Sequence, residues 1–297
     1  MRFLDFNVEE ITALKIEADK PIADRDFLSP YVWKDQDKYR MLVRSAPQTL
    51  SETGNTGTIH YGERDDGVSF RVHYTPIIAP STDLDIGGCE DPTVLFWNGE
   101  FVVYYTGVDK SRAAGQMLYA SGAALDTLTK RGVAYASTKT EGNTKEATVA
   151  RTADGRWRLF YEYARQDASL IGLALGDGIA GPWSEQPSPF SPREHDWDNW
   201  HLSTGPLLTT DPDMPVMFYN GATRDARWRI GWVAFDRDCT RVVDRCVEPL
   251  VVPPPPKCRA DTDIAFAASV IACDAEISHL YFSRADQLLF RAIVRRS

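Results

Sequence analysis

The chain has 297 residues, 43% hydrophobic and 11% aromatic, enough for a large core in two ordinary domains or one large all-β domain. A formal net charge of -9 with no basic block argues against nucleic acid as a partner. No run of 18 apolar residues and no signal-peptide core occurs, so no membrane partner is expected and the cytoplasm is the expected location.

In chain order, Val8 to Leu14 has the spacing of a short helical turn, and helical periodicity is scarce elsewhere. Five stretches then repeat one pattern, an apolar strand, a turn and a second apolar or aromatic strand. They run Phe27 to Ala46, Gly87 to Asp109, Ala147 to Ala164, Ser203 to Ala222 and Ile264 to Asp286. In the second, Asn98-Gly99 is a strong hairpin turn. The ends of the second strands fall in one column, Arg44, Thr106, Glu162, Asn220 and Ser283, with a period near 60 residues. That period suits a four-stranded propeller blade with generous loops.

Outer strands are expected at Thr58–Tyr61, Ser69–Thr75, Met117–Ser121, Gly132–Ser137, Leu170–Leu175, Ile230–Phe235 and Leu288–Val294. Pro253 to Pro256 is extended and reads as a crossing between blades. The pattern predicts an all-β, five-bladed β-propeller, 1–297 forming a single domain.

Inner strands of a propeller start around one mouth of its channel, here Phe27–Tyr31, Glu90–Thr93, Thr144–Thr148, Leu202–Pro206 and Ala265–Ser269. Among these, Glu90-Asp91-Pro92 brings an acid pair to the pocket. Asp91 alone would be read as a turn cap before proline. Glu90 either raises the pKa of Asp91 or, by strand alternation, braces the neighbouring blade.

Five cysteines without a CxxC spacing support neither a disulfide framework nor a metal site, and Cys239 and Cys246 are expected to stay thiols. The five histidines share no motif, and no metal or cofactor is expected. Trp33, Tyr105, Tyr163, Trp197, Trp200 and Tyr219 are candidate sugar-stacking faces, otherwise core between blades. His201, after Trp197–Trp200, reads equally as a structural hydrogen bonder or a substrate contact.

GGCEDP before a hairpin ending YYTGVD resembles glycoside hydrolase family 130, five-bladed propellers acting on β-mannosides. SPYVW…YRMLVRSA, DDGVSF, STGPLLTT…MFYNGAT, DRCVEPLVVP and LYFSRAD resemble further family segments in the same order. The resemblance covers about residues 25 to 295 and implies Asp91 as catalytic acid, with sugar contacts from Arg44 and Asp286. A surface ion pair for Arg44 and a turn for Asp286 are the alternatives.

Phosphorylases of the family hold phosphate with a Lys, an Arg and a His. Lys145 matches the lysine, but Tyr161-Glu162 stands for a His-Arg pair, Asn220 for the fourth-blade His, and Thr93 for the Arg usual after the acid motif. A carboxylate at Glu162 would repel phosphate and is what an inverting hydrolase needs as base. Glu146 is the alternative base or half of a surface pair. Arg165 is a cation that could fold back into the site.

The expectation is therefore an inverting hydrolase of a small oligosaccharide, with Asp91 as acid and Glu162 as base. Substrate contacts are expected at Arg44, Glu90, Lys145, His201, Asn220 and Asp286. A phosphorylase using inorganic phosphate is the alternative, and a non-catalytic glycan-binding propeller, which would be expected to have lost the acid, is a third.

Overall fold

The structure is a computed structural model that describes residues 4–51, 54–138, 140–255 and 263–297. It is a five-bladed β-propeller. Blade 1 runs outward through Asp26–Asp35, Lys38–Ala46, Thr58–Arg64 and Ser69–Ile78, with Lys15–Ala18 added in parallel at its edge. Blade 2 comprises Gly88–Trp97, Glu100–Val108, Gly115–Gly122 and Thr129–Tyr135. Blade 3 comprises Gly142–Arg151, Trp157–Arg165, Ala168–Gly176 and Trp183–Gln186. Blade 5 contains Ala265–Ala272, Ile277–Arg284 and Leu288–Arg296.

The fourth blade is split into two sheets. His201–Ser203, Asn220–Ala222 and Trp228–Ile230 form one, while Leu207–Leu208, Val216–Met217, Val233–Phe235 and Val242–Arg245 form the other. The single strand expected at Ile230–Phe235 is thus broken at Gly231-Trp232. The Trp197 ring lies against Gly221 and Gly231, where added Cβ atoms would come within 2.7 Å and 2.6 Å of it. A ring wedged there leaves no room for a continuous ladder.

The helical turn expected at Val8–Leu14 is instead part of a strand, Phe6–Ala13, which pairs antiparallel with Leu288–Arg296 and completes blade 5. A bulge between Val8 and Glu10 stretches the inward spacing and imitates a helical period. Pairing with the free edge of the last strand settles the matter, because that edge otherwise leaves backbone groups unpaired. Residues 253–255 carry no strand, and Pro256 lies outside the described residues.

In each of the first three blades the inner strand carries a two-against-one bulge. Ser29-Pro30, Asp91-Pro92 and Glu146-Ala147 each oppose one residue, because the register jumps from Leu28 to Tyr31, Glu90 to Thr93 and Lys145 to Thr148. The first residue of each bulge has positive φ: +50° at Ser29, +49° at Asp91 and +52° at Glu146. Such left-handed backbone is costly for non-glycine residues and concentrates at functional sites.

A closed circuit of hydrogen bonds joins the inner strands. Ser29 Oγ donates to Asp91 Oδ1 (2.7 Å), Thr93 Oγ1 to Ala147 O (2.7 Å) and Thr148 Oγ1 to Gly205 O (2.9 Å). Ala267 N donates to Asn220 Oδ1 (2.7 Å), and Ser269 Oγ, which accepts from Val32 N, donates to Pro30 O (2.9 Å). Cores of buried apolar side chains fill the gaps between blades, the largest around Phe160, Phe218, Phe235 and Phe282.

Candidate active site

A cavity of about 340 Å³ opens where the inner strands start. The bulges decide what faces it. Strict alternation would turn Glu90 and Asp91 to opposite sides, but the extra residue lets both line the cavity, as it does for Lys145 and Glu146.

Asp91 is 9% exposed and accepts the Ser29 hydroxyl. Its carboxyl lies beside that of Glu146, on the wall the two share. Burial, then the like charge of Asp91, pushes Glu146 well above the usual carboxylate range.

Glu90 is gripped by Arg44, whose Nη2 lies 2.7 Å from its Oε1, and by the Thr56 hydroxyl. Arg44 Nη2 also donates to Thr56 O at 2.9 Å. The Gly87-Gly88 pair makes this close approach available, since a Cβ on Gly88 would fall 2.0 Å from Thr56 Oγ1. Glu90 is also raised, by burial first, with Arg44 opposing. Glu90 therefore braces the neighbouring blade, as one alternative had it, while still lining the cavity beside Asp91.

Lys145 Nζ lies 3.5 Å from Glu162 Oε1, with Glu162 directly across the ladder. Glu162 first, then Glu146, Asp91 and Glu90, raise the ammonium pKa against the opposing effect of burial. Asp286 sits at φ +50° on the same wall, its carboxyl raised by burial against the pull of Arg44.

Two expected contacts lie elsewhere. Asn220 is fully buried, and both ends of its amide are spent on the backbone of Thr204 and Ala267, so it faces no ligand. His201 lies behind the wall: its Nδ1 accepts from Ser169 N at 3.1 Å, and its ring stacks on Trp228 at 5.6 Å. Burial lowers its pKa, which suits a neutral ring. Arg165 does not fold back. It pairs with Glu141 and lies over the Tyr163 ring.

None of the six aromatic candidates lines the cavity. Trp197 stacks on Tyr219 at 5.5 Å, Trp200 lies under Arg224, Trp33 faces Tyr61, and the Tyr105 hydroxyl bonds Asp85. The aromatic wall is Trp228 and Phe266, which meet edge to face at 5.3 Å. Trp228, two residues before the outer strand expected at Ile230–Phe235, was not singled out from the sequence. Ser29 had a readable sign, because Ser29-Pro30 repeats the Asp91-Pro92 pattern one blade earlier.

A sequence profile described as beta-1,4-mannooligosaccharide phosphorylase matches residues 36–257. The chain belongs to glycoside hydrolase family 130. A curated relative, 1,2-beta-oligomannan phosphorylase from Thermoanaerobacter sp. (strain X514), is 22% identical over 195 residues. That match covers 65% of this chain and 63% of the relative, less than two thirds of the relative's length.

The fold is shared with the β-1,2-mannobiose phosphorylase of Listeria innocua at a TM-score of 0.75 and 15% identity, over 97% of this chain and 91% of that one. Another solved family 130 structure accompanies the finding that these mannoside phosphorylases include hydrolases of β-1,2 mannosidic linkages in Candida mannan. It matches at a TM-score of 0.74 and 21% identity, over 91% of this chain and 84% of its own.

Proposed function

We propose that this family 130 enzyme hydrolyses a short β-mannoside with inversion, Asp91 acting on the acid side and Glu162 as base. One observation carries the reading: the cavity's charge. Among the described residues, five carboxyls line it (Glu90, Asp91, Glu146, Glu162 and Asp286) against two cations, Arg44 and Lys145, each already paired with one of them. Even with Glu146 raised toward its neutral form, the described lining keeps an excess of carboxyls over cations.

A phosphate dianion would enter against that excess. At about 5 Å and an effective dielectric of about 20, each unlike or like unit pair is worth about 3 kcal/mol, so the sign matters. Water suffers no such penalty. The two roles also separate by surroundings, as acid–base pairs require: burial and the charge of Asp91 raise Glu146 toward its proton-bearing form, while Glu162 faces an ammonium. A proton-bearing Glu146 is ill suited to be the base, which favours Glu162 over it.

Phosphorolysis is the second reading, and the names of the family profile and of the Thermoanaerobacter relative favour it. Incubating β-1,2- and β-1,4-mannobiose with and without phosphate separates the two. Free mannose formed at a rate indifferent to phosphate is the expected result. Mannose 1-phosphate formed only when phosphate is present overturns the hydrolytic reading.

A further inference from the structure

A cleft of about 570 Å³ lies between blades 1 and 2 and, among the described residues, shares none of its lining with the catalytic cavity. Blade 1 contributes Arg40, Tyr61, Glu63 and His73, and blade 2 contributes Phe101. The short helical turn Leu125–Thr127 closes it, packing against Ser69–Ile78, the outer strand of blade 1. A largely apolar pocket of this size with a few converging polar groups is the usual form of a small-ligand site.

The charges of the cleft are mostly settled within the protein. Tyr61 Oη donates to Glu63 Oε2 at 2.8 Å, Lys38 Nζ lies 3.3 Å from Glu63 Oε1, and Arg40 Nη2 lies 2.9 Å from Asp35 Oδ2. The Tyr61 hydrogen bond first, then Lys38 and Arg40, hold Glu63 below the usual carboxylate range against the effect of burial. An anion would meet Glu63 and the exposed Asp126, and a cation would meet Arg40. A neutral ligand avoids both penalties. One donor is left over, because Arg40 Nε is buried and has no hydrogen-bond partner among the described residues. Beside it is a flat surface: His73, exposed, lies parallel on Tyr61, with ring centres 5.7 Å and planes 17° apart. A flat ring beside a spare donor and a carboxylate acceptor suits a molecule with an apolar face and a rim of hydroxyls.

We propose that this cleft is a second binding site for a neutral oligosaccharide, holding a β-mannoside chain apart from the catalytic cavity. The proposal rests on the mannoside part of the reading above and on neither mode of cleavage.

The test counts bound sugar. Asp91→Asn, which should bind without turnover, is titrated calorimetrically with β-1,4- and with β-1,2-mannotetraose. Two equivalents per chain of one of them are expected. His73→Ala removes the flat surface, and Ala124→Trp fills the cleft from the residue before the turn. Each should weaken one equivalent about tenfold or more, whereas His73→Phe, which keeps a flat ring, should not. Without the Asp91 change, all three should leave kcat and KM on mannobiose within about twofold. The two disruptive substitutions lie on different blades, so one that fails to fold leaves the other, and melting temperatures show which. A single equivalent, or a second that survives in a folded variant, overturns the proposal. So does the absence of binding by either tetraose. Wild-type turnover of β-1,2- and β-1,4-mannobiose then separates the two readings: product leaves the mannoside reading standing and removes the second site alone, and no product removes both.

Discussion

Blades 2 and 4 interrupt their inner strands at equivalent places and use the interruption differently. In blade 2 the bulge at Asp91-Pro92 leaves a carboxyl facing the cavity, beside Glu90. In blade 4 the break runs through the whole sheet and is filled from within. Asp198, wholly buried, accepts from Arg193 at 2.9 Å, from Arg245 and from the Tyr219 hydroxyl, while Asn220 ties blade 4 to blade 5. Interruption of the inner strand thus turns a carboxyl to the cavity in one blade and is filled by internally paired polar groups in another, and what separates the two is whether the polar group finds its partners inside the protein.

That contrast can be broken from either side. The largest effect is expected from Asp198→Ala, which leaves two arginines without their shared buried carboxylate. Stability should fall by about 3–5 kcal/mol, as when one partner of a buried ion pair is removed. Urea unfolding measures this, and activity per folded molecule should persist; a loss of turnover without loss of stability would move Asp198 to the catalytic side. Asp91→Asn should do the reverse, lowering kcat about 100-fold or more with the melting temperature kept. Retained turnover on a β-mannoside would remove Asp91 from the role of acid.

Asn220→Ala should cost about 1–3 kcal/mol, because Ala267 N then loses its buried acceptor. Its KM should stay that of the wild type, and a raised KM with unchanged stability would restore Asn220 as a substrate contact. The smallest effect is a pH dependence. Glu146 is raised in the folded state, so its contribution to stability is fully present below its unfolded value of about 4.5 and is lost as pH rises through the folded value. Glu146→Gln cannot ionise. It should melt a few degrees above the wild type at pH 8 and gain little at pH 4; equal melting temperatures at both would show that the Glu146 carboxyl carries no such burden.

The hairpins were legible because their signals are local. Asn98-Gly99 and the alternating runs around it need no distant partner. The column of second-strand ends was also legible, and the register confirms it: Arg44, Thr106, Glu162, Asn220 and Ser283 oppose Leu28, Glu90, Lys145, Ser203 and Phe266. What the pattern could not carry was which member of the column meets solvent. Asn220 is silenced by Thr204 and by Ala267, 47 residues away. The Asp91–Glu146 contact joins two blades, and the bulges that create it violate the alternation used to read the strands. Phe6–Ala13 was misread for the same reason, since its bulge falsified the period and its partner lies at the other end of the sequence.

That last pairing also sets the order in which the molecule is completed. Phe6–Ala13 is synthesised ahead of all five hairpins, yet its ladder partner, Leu288–Arg296, follows them, and Ser297 N donates to Asp5 O at 3.1 Å. Four blades can assemble as their hairpins emerge, but the fifth waits for Leu288–Arg296. Until then the nascent chain carries an unmatched strand ahead of its first blade and an open ring at its growing end, both able to pair with other chains. The interval between the fourth blade and the final strand is therefore when this protein is most exposed to misassembly.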